Sequence, residues 1–557
     1  MRETFKCKFI SSLEKCFADE RLEDKPELKS ISMLSNEHLS VQLAMHEDDP
    51  GVYTKLVCKC VVKSPLSDCI TVRNVEQVNV AMPVAKGAGD DNYLRNKQPG
   101  LYPDLLTPLR YEGCALAALY ELRALWIDIR PDGKYAAGKY PVTVELYSEN
   151  GEELYGSATL EVEIVGAALP EQELYYTQWF YADCLASYYD TEVFSERHWR
   201  IIENYIKAAV DGGINMILTP ILTVPLDTKV GGERPTCQLV DIFLDGGKYS
   251  FAFDKLDRWI DILLKYNVKI IEMSHLFTQW GAAHAPKVMA TVDGEYKKIF
   301  GWETDACGEE YAHFLHEFLT ALLDFLKKKG VDKMCYYHIS DEPHIDHLDN
   351  YLNAKKVLGE VLDGYTILDA LSNFEFYKTG AVMCPVPSNH AIEPFLEAKI
   401  PGLWTYYCCS EACDVSNRFV AMPSARNRIM GIQMYKYDIA GFLQWGFNFY
   451  YNRFSVDLIN PFQDLSGDYF VPAGDAFSVY PKADGTALDS IHFLVFKHAL
   501  EDMRALKLCE QLYGKDYVVN LIDGGLEHEI TFRDYPRDAG YILSLREKVN
   551  AAIKAKL

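Results

Sequence analysis

From Leu174 onward the chain repeats one unit: a short run of aromatic and β-branched residues, then a loop, then a stretch whose apolar residues recur at helical spacing. The runs are LYYTQWFY, INMILTP, VKIIEMSH, MCYYHISDE, YTILDAL, AVMCPVP, GLWTYYCC and GFLQWGF. Between them fall amphipathic segments, such as the one Ser195 can cap, with Trp199, Ile202, Tyr205, Ile206 and Ala209 on one face. Others are expected around 254–266, 309–329, 347–362, 391–398 and 424–437, with a later helix at about 488–508. Eight alternating units predict a closed (β/α)8 TIM barrel, because strands that alternate with helices pair in parallel and bury both faces.

The segment before Leu174 has a different rhythm. VYTKLVCKCVV, ALWIDIRP, KYPVTVELYS and GSATLEVEIVG alternate apolar and polar residues between turn-forming residues, with a hairpin turn expected at NGEE. GAALPEQE loses the alternation and reads as a linker. The expected organisation is an antiparallel β-sandwich over 1–170, a (β/α)8 catalytic barrel over 171–510 and a C-terminal tail with a helix over 511–557. Two connections, 220–253 and 276–308, are too long for ordinary strand-to-helix loops and are expected to be functional.

Within the fourth run, Asp341 and Glu342 precede Pro343 in CYYHISDEPH. On the dipeptide alone a helix start is the ordinary reading, since acids complement a helix N-terminus. The barrel context favours another. Adjacent acids at the C-terminal end of a barrel strand stand where such folds keep their chemistry, and two carboxyls in different surroundings can divide acid and stabilising roles. Trp179, His275, His338, Asp369, Trp404, Tyr406, Trp445 and Asn448 are placed at the same strand ends, and Trp280 in the long third loop. Rings there suit the apolar face of a sugar. Trp199 and Trp259 are read as core, and His284, His344 and His347 as loop or helix-surface residues.

The remaining composition narrows the partners. With 80 acidic and 56 basic residues, the net charge of −24 repels nucleic acid and anionic membranes. No long apolar run and no N-terminal apolar segment is seen, so a cytoplasmic protein without a signal peptide is expected. Fifteen scattered cysteines read as reduced thiols. Cys408, Cys409 and Cys413, like His344 and His347, lack a second ligand pair at finger-like spacing, so neither metal nor cofactor is expected. No G-x-S-x-G, Walker loop, dinucleotide fingerprint or H-E-x-x-H occurs.

Taken together, HISDEPH, HLFTQWGAAHAPKVMA followed by FGWETDA, GLYPDLLTPL, ALWIDIRPDGKYAAGKYPVTVEL, GDAFSVYP and the segment HALEDMRALKL resemble glycoside hydrolase family 123 and its wider relatives of unknown function. The resemblance runs from about residue 100 to 508. It implies a β-sandwich followed by a (β/α)8 barrel, and release of terminal β-linked N-acetylgalactosamine by a retaining, substrate-assisted mechanism. Asp341 would orient and polarise the 2-acetamido group and Glu342 would be the general acid/base. Two alternatives stay open: a two-carboxylate glycosidase of different sugar specificity, using a distant acid such as Asp369, and a non-catalytic carbohydrate-binding protein. The partner expected in each case is a glycan or glycoconjugate. Trp280, Trp404, Tyr406, Trp445 and Asn448 are expected to converge in one cavity with the two acids.

Overall fold

The computed structural model describes residues 2–49, 55–85, 87, 89–90, 92–95, 97–110, 113–118 and 120–557. Residues 52–54 of the strand expected from VYTKLVCKCVV lie outside this set; the rest of it forms strand Lys55–Lys63.

Two five-stranded sheets make the N-terminal sandwich. One runs Phe5–Ser11, Leu39–Glu47, Arg123–Ile129, Ile70–Val80, Gly100–Pro108 in spatial order, the other Ser30–Leu34, Leu154–Val165, Gly138–Ser148, Lys55–Lys63, Cys114–Ala118. All neighbours are antiparallel except Ser30–Leu34 with Leu154–Val165, which is parallel. The alternation read in the sequence sets the inner faces: Val41, Leu43 and Met45 meet Leu125, Ile127 and Ile129, and Val142, Val144 and Leu146 meet Leu160, Val162 and Ile164 in one buried cluster. Ala124 and Trp126, on the opposite face of their strand, belong instead to the cluster that contains the barrel. That sheet is thus buried on both sides, and the sandwich is tied to the rest of the molecule by apolar contact.

The eight predicted strands all form: β1 (Tyr175–Gln178), β2 (Met216–Thr219), β3 (Ile270–Met273), β4 (Cys335–Tyr337), β5 (Thr366–Ala370), β6 (Cys384–Val386), β7 (Trp404–Tyr406) and β8 (Gly441–Gln444). They pair in parallel in the order β6-β5-β4-β3-β2-β1-β8-β7. A bridge between Ser388 and Tyr406 brings the last pair together, with Tyr406 N–H donating to Pro387 O at 3.0 Å and Asn389 N–H to Tyr406 O at 2.8 Å. Ser195 caps helix Glu196–Asp211 by accepting from His198 N–H. The later helix runs Ile491–Tyr513.

The long connections are not open loops. Strands Asp241–Asp245 and Lys248–Ala252 form one hairpin, Val288–Val292 and Glu295–Phe300 another, and Phe243 and Leu244 pair with Thr291 and Val292 to join them in a four-stranded sheet. The turn pairs Gly246-Gly247 and Asp293-Gly294 all adopt positive φ, as tight hairpins require. Tyr249 and Phe251 pack this sheet onto Phe314 and Phe318 of helix Glu309–Lys329. The C-terminal tail carries helices Lys515–Asp523 and Ala539–Lys554. The second docks on the sandwich, where Glu547 accepts from Ser32 N–H and Oγ, both at 2.8 Å.

Candidate active site

β4 is only three residues long, so Asp341 and Glu342 stand on the loop beyond its C-terminal end rather than on the strand itself. Glu342 adopts φ +42°, a conformation few residues other than glycine accept, and its N–H donates to Ala370 O at 3.0 Å. The turn sends the two side chains into different surroundings. Asp341 is buried, while Glu342 is exposed and accepts from Tyr406 Oη at 2.7 Å. Burial, then the neighbouring Glu342 charge, holds the Asp341 carboxyl well above the usual carboxylate range.

Both acids line a cavity of about 170 Å³ at the C-terminal mouth of the barrel, walled by Trp179, Tyr181, Trp280, Tyr406, Trp445 and Phe470. Trp280, itself at φ +59°, donates its N–H to Asp341 O at 2.9 Å and presents its ring edge-on to Phe454. Trp445 is fixed by Nε1–H donation to Asp475 Oδ2 at 2.8 Å. Asp227, Gln279, Ala370, Cys408, Cys409, Arg453 and Phe454 also face the cavity. Apart from Cys408 and Cys409, weighed only as metal ligands, none of these is among the residues expected at the site, because most sit in loops after β2, β3, β7 and β8 that carry no periodic pattern.

Of the five side chains expected to converge, Trp280, Tyr406 and Trp445 do so, and Trp404 and Asn448 do not. Trp404 opens β7 instead of closing it and lies at the opposite, N-terminal end of the barrel. There it stacks on Tyr175, the first residue of β1, at 6.0 Å, over Gly441 of β8, where a Cβ would overlap its ring. Asn448 is consumed as a brace, accepting from Tyr181 N–H at 2.9 Å and donating to Tyr181 O at 3.0 Å.

His275, His338 and Asp369 form a buried layer beneath the cavity rather than its wall. Its centre is Glu272 on β3, a carboxylate hidden within the apolar run VKIIEMSH. Glu272 accepts from Thr177 Oγ1 at 2.5 Å and from Trp179 Nε1 at 2.8 Å, and pairs with His338 Nε2 at 2.8 Å. On its other side His338 Nδ1 lies 3.4 Å from Asp369 Oδ1, and Asp369 accepts from Tyr351 Oη at 2.5 Å and Ile339 N–H at 3.0 Å. Burial alone would lower the His338 pKa, but Asp369 and Glu272 outweigh it and raise it to about 9. The layer therefore holds His338 between two acids, directly behind Trp179 of the cavity wall.

One ligand atom each from His275, His338 and Asp369 falls within 4.8 Å of the others, the spacing of a metal set. The ring geometry argues against that use. His275 and His338 stack at 4.3 Å with an 18° interplanar angle, so their in-plane lone pairs run side by side instead of converging, and His338 is already engaged by two acids.

A (β/α)8 barrel whose mouth joins paired carboxyls to aromatic walls has the form of a sugar-cleaving enzyme. Residues 179–509, more than half of the chain, match the family model described as glycoside hydrolase 123, catalytic domain. The chain belongs to glycoside hydrolase family 123, and it is a glycosidase. Its fold is similar to that of a family 123 glycoside hydrolase from Clostridium perfringens, whose structural study concerns glycolipid glycan hydrolysis, with a TM-score of 0.73 at 15% identity over 99% of this chain and 98% of that one. β-Glucuronidases from Bacteroides uniformis and Ruminococcus gnavus align less closely, with TM-scores of 0.29 and 0.30 and identities of 9% and 7%. The first covers 82% of this chain and 48% of that one, the second 83% and 66%. No curated protein matches the sequence.

Proposed function

We propose that the protein releases terminal β-linked N-acetylgalactosamine from a glycan or glycoconjugate, with retention and with the substrate's 2-acetamido group as nucleophile. The observation that carries this reading is the split environment of one adjacent acid pair. Asp341 is buried at the cavity wall while Glu342 reaches its open side beside Tyr406. Consecutive residues of one loop are poorly placed to flank a sugar ring from opposite faces at the ~5–5.5 Å separation of a retaining carboxylate pair. They are well placed if the acetamido oxygen attacks C1 itself.

In that step the C1–O bond to the aglycone breaks as the acetamido oxygen bonds to C1, giving an oxazolinium ion that keeps its N–H, and Glu342 transfers its proton to the departing oxygen. Asp341 accepts the amide N–H and offsets the charge that builds on it. Burial and then the Glu342 charge raise the Asp341 carboxyl, so the ionised Asp341 that the step requires is favoured when that neighbouring charge is absent. Water then attacks C1 with Glu342 as base, restoring the acetamido group.

A second reading rests on Asp227, which faces the same cavity from the loop after β2 and would serve as a separate nucleophile. It replaces Asp369 in that role, since Asp369 lies beneath the cavity floor. A thiazoline analogue of the oxazolinium ion, assayed together with aryl β-glycosides of GalNAc, GlcNAc, galactose and glucose, separates the two. Inhibition by the analogue with turnover confined to acetamido sugars is expected. Hydrolysis of a plain β-galactoside without thiazoline inhibition would replace it with the Asp227 mechanism.

A further inference from the structure

Just beyond the C-terminal end of β7, the adjacent residues Cys408 and Cys409 both line the cavity that holds Asp341 and Glu342. The backbone there is fixed: Cys408 N–H donates to Glu411 Oε2 at 2.8 Å and Cys408 O accepts from Asn417 Nδ2 at 2.8 Å. Ser410 Oγ lies 3.1 Å from Cys408 Sγ. Two soft ligand atoms are thus held on one short, pinned turn in the wall of an otherwise oxygen-lined and aromatic pocket.

We propose that Cys408 and Cys409 form a dithiol site for soft, thiophilic ligands, trivalent arsenicals and soft metal cations, and that a ligand bound there occupies the pocket. Direct oxidation of the pair is the less favourable use. Consecutive α-carbons across a trans peptide are about 3.8 Å apart, below the ~4.4 Å at which ordinary disulfides begin. A ligand atom inserted between the sulfurs lengthens the bridge and removes that constraint, and thiolate sulfur selects soft metals over hard ones. With an arsenoxide, two As–S bonds form while the arsenic-bound oxygen leaves as water with the two thiol protons. No oxidant is needed. The Cys408 thiol is held above its ordinary range by its hydrogen bond with Cys409 and then by burial, so it is a poor nucleophile alone. A ligand that bonds to both sulfurs gains a second bond that a monofunctional alkylating reagent does not.

The probe is phenylarsine oxide, added at one equivalent to the full chain and read by intact mass and peptide mapping, without substrate. One arsenical per chain on the 408–409 peptide is expected, released by 2,3-dimercaptopropanol, absent from Cys408→Ser and Cys409→Ser, and retained by Cys307→Ser, which removes an exposed thiol. The adduct should also abolish glycoside hydrolysis, with activity returning on release. Near-UV circular dichroism checks each variant, and the less buried Cys409 decides if Cys408→Ser does not fold. An adduct mapped elsewhere, or one that survives in folded Cys409→Ser, overturns the site. A mapped 408–409 adduct that leaves hydrolysis intact overturns the claim that it fills the pocket. The mapping is independent of which sugar the enzyme cleaves.

Discussion

Glu342 sits at φ +42°, where a side chain of its size costs on the order of 1–3 kcal/mol. The same backbone turn lets its carboxyl reach Tyr406 while Asp341 stays buried. Glu342→Gln is expected to lower turnover by roughly 10²–10⁴-fold, with a smaller loss on aryl glycosides that have good leaving groups. An equal loss across leaving groups would remove the general-acid role. Asp341→Asn should instead slow activated and unactivated substrates alike, because it weakens the steering of the amide. Since burial and Glu342 raise the Asp341 carboxyl, ionised Asp341 is lost as pH falls through a value above the usual ~4. The acid limb of kcat/KM is therefore expected above that value, and a limb at or below it would contradict the assignment. At this scale the acids were legible because two carboxyls before a proline interrupt an apolar run. Trp404 was not, because GLWTYYCC is apolar throughout and gives no phase for deciding where its three-residue strand begins.

At the scale of elements, the loops after β2, β3 and β8 clasp one another over the cavity. Asp227 Oδ2 accepts from Phe454 N–H at 2.8 Å, Asp227 O accepts from Ser455 Oγ at 2.6 Å, and Lys229 N–H donates to Phe454 O at 3.1 Å. Asp227, Phe454 and Ser455 all have positive φ, as does Trp280, whose ring meets that of Phe454, so strained residues of three loops are held by mutual contact. Asp227→Asn keeps an acceptor for Phe454 N–H and should leave kcat within a few-fold. Asp227→Ala should loosen the clasp and raise KM more than it lowers kcat. Complete loss of turnover in Asp227→Asn would identify it as a nucleophile. Beneath the clasp, the charged His338 links β3, β4 and β5 through Glu272 and Asp369. A histidine whose folded pKa is raised to about 9 stabilises the fold fully below its unfolded value of about 6.5, and that stability is lost as pH rises through about 9. Urea titrations from pH 6 to pH 10 should therefore show a steeper alkaline loss in the wild type than in Glu272→Gln. Parallel slopes would show that His338 is neutral. Helical and strand periodicity made the barrel readable, and the Gly-Gly and Asp-Gly turns of the inserted hairpins were readable too. The clasp was not, because its contacts between the loops after β2 and β8 join residues 227 and 228 positions apart and leave no local pattern.

Across the whole molecule, one buried carboxylate joins four segments. Asp502, on helix Ile491–Tyr513, accepts from Arg428 Nε at 2.7 Å and Nη2 at 2.9 Å beside the barrel, and from Arg546 Nε at 3.1 Å on the C-terminal helix. Arg546 Nη2 in turn donates at 2.6 Å to Glu37 of the sandwich. The tail said little as a sequence, since the worth of Arg546 lies in partners 44 and 509 residues away. Removing the shared acid leaves two buried guanidinium groups without their common partner, a loss that typically costs about 3–5 kcal/mol. Asp502→Ala is therefore expected to destabilise by about that amount, and Asp502→Asn by less, because one oxygen still accepts. Sandwich and barrel should then uncouple, so that denaturant unfolding followed at Trp126 in the sandwich sheet and at tryptophans of the barrel separates into two transitions. A single transition shifted by less than 1 kcal/mol would mean that the apolar contact of Ala124 and Trp126 with the barrel, rather than this ion network, holds the two parts together.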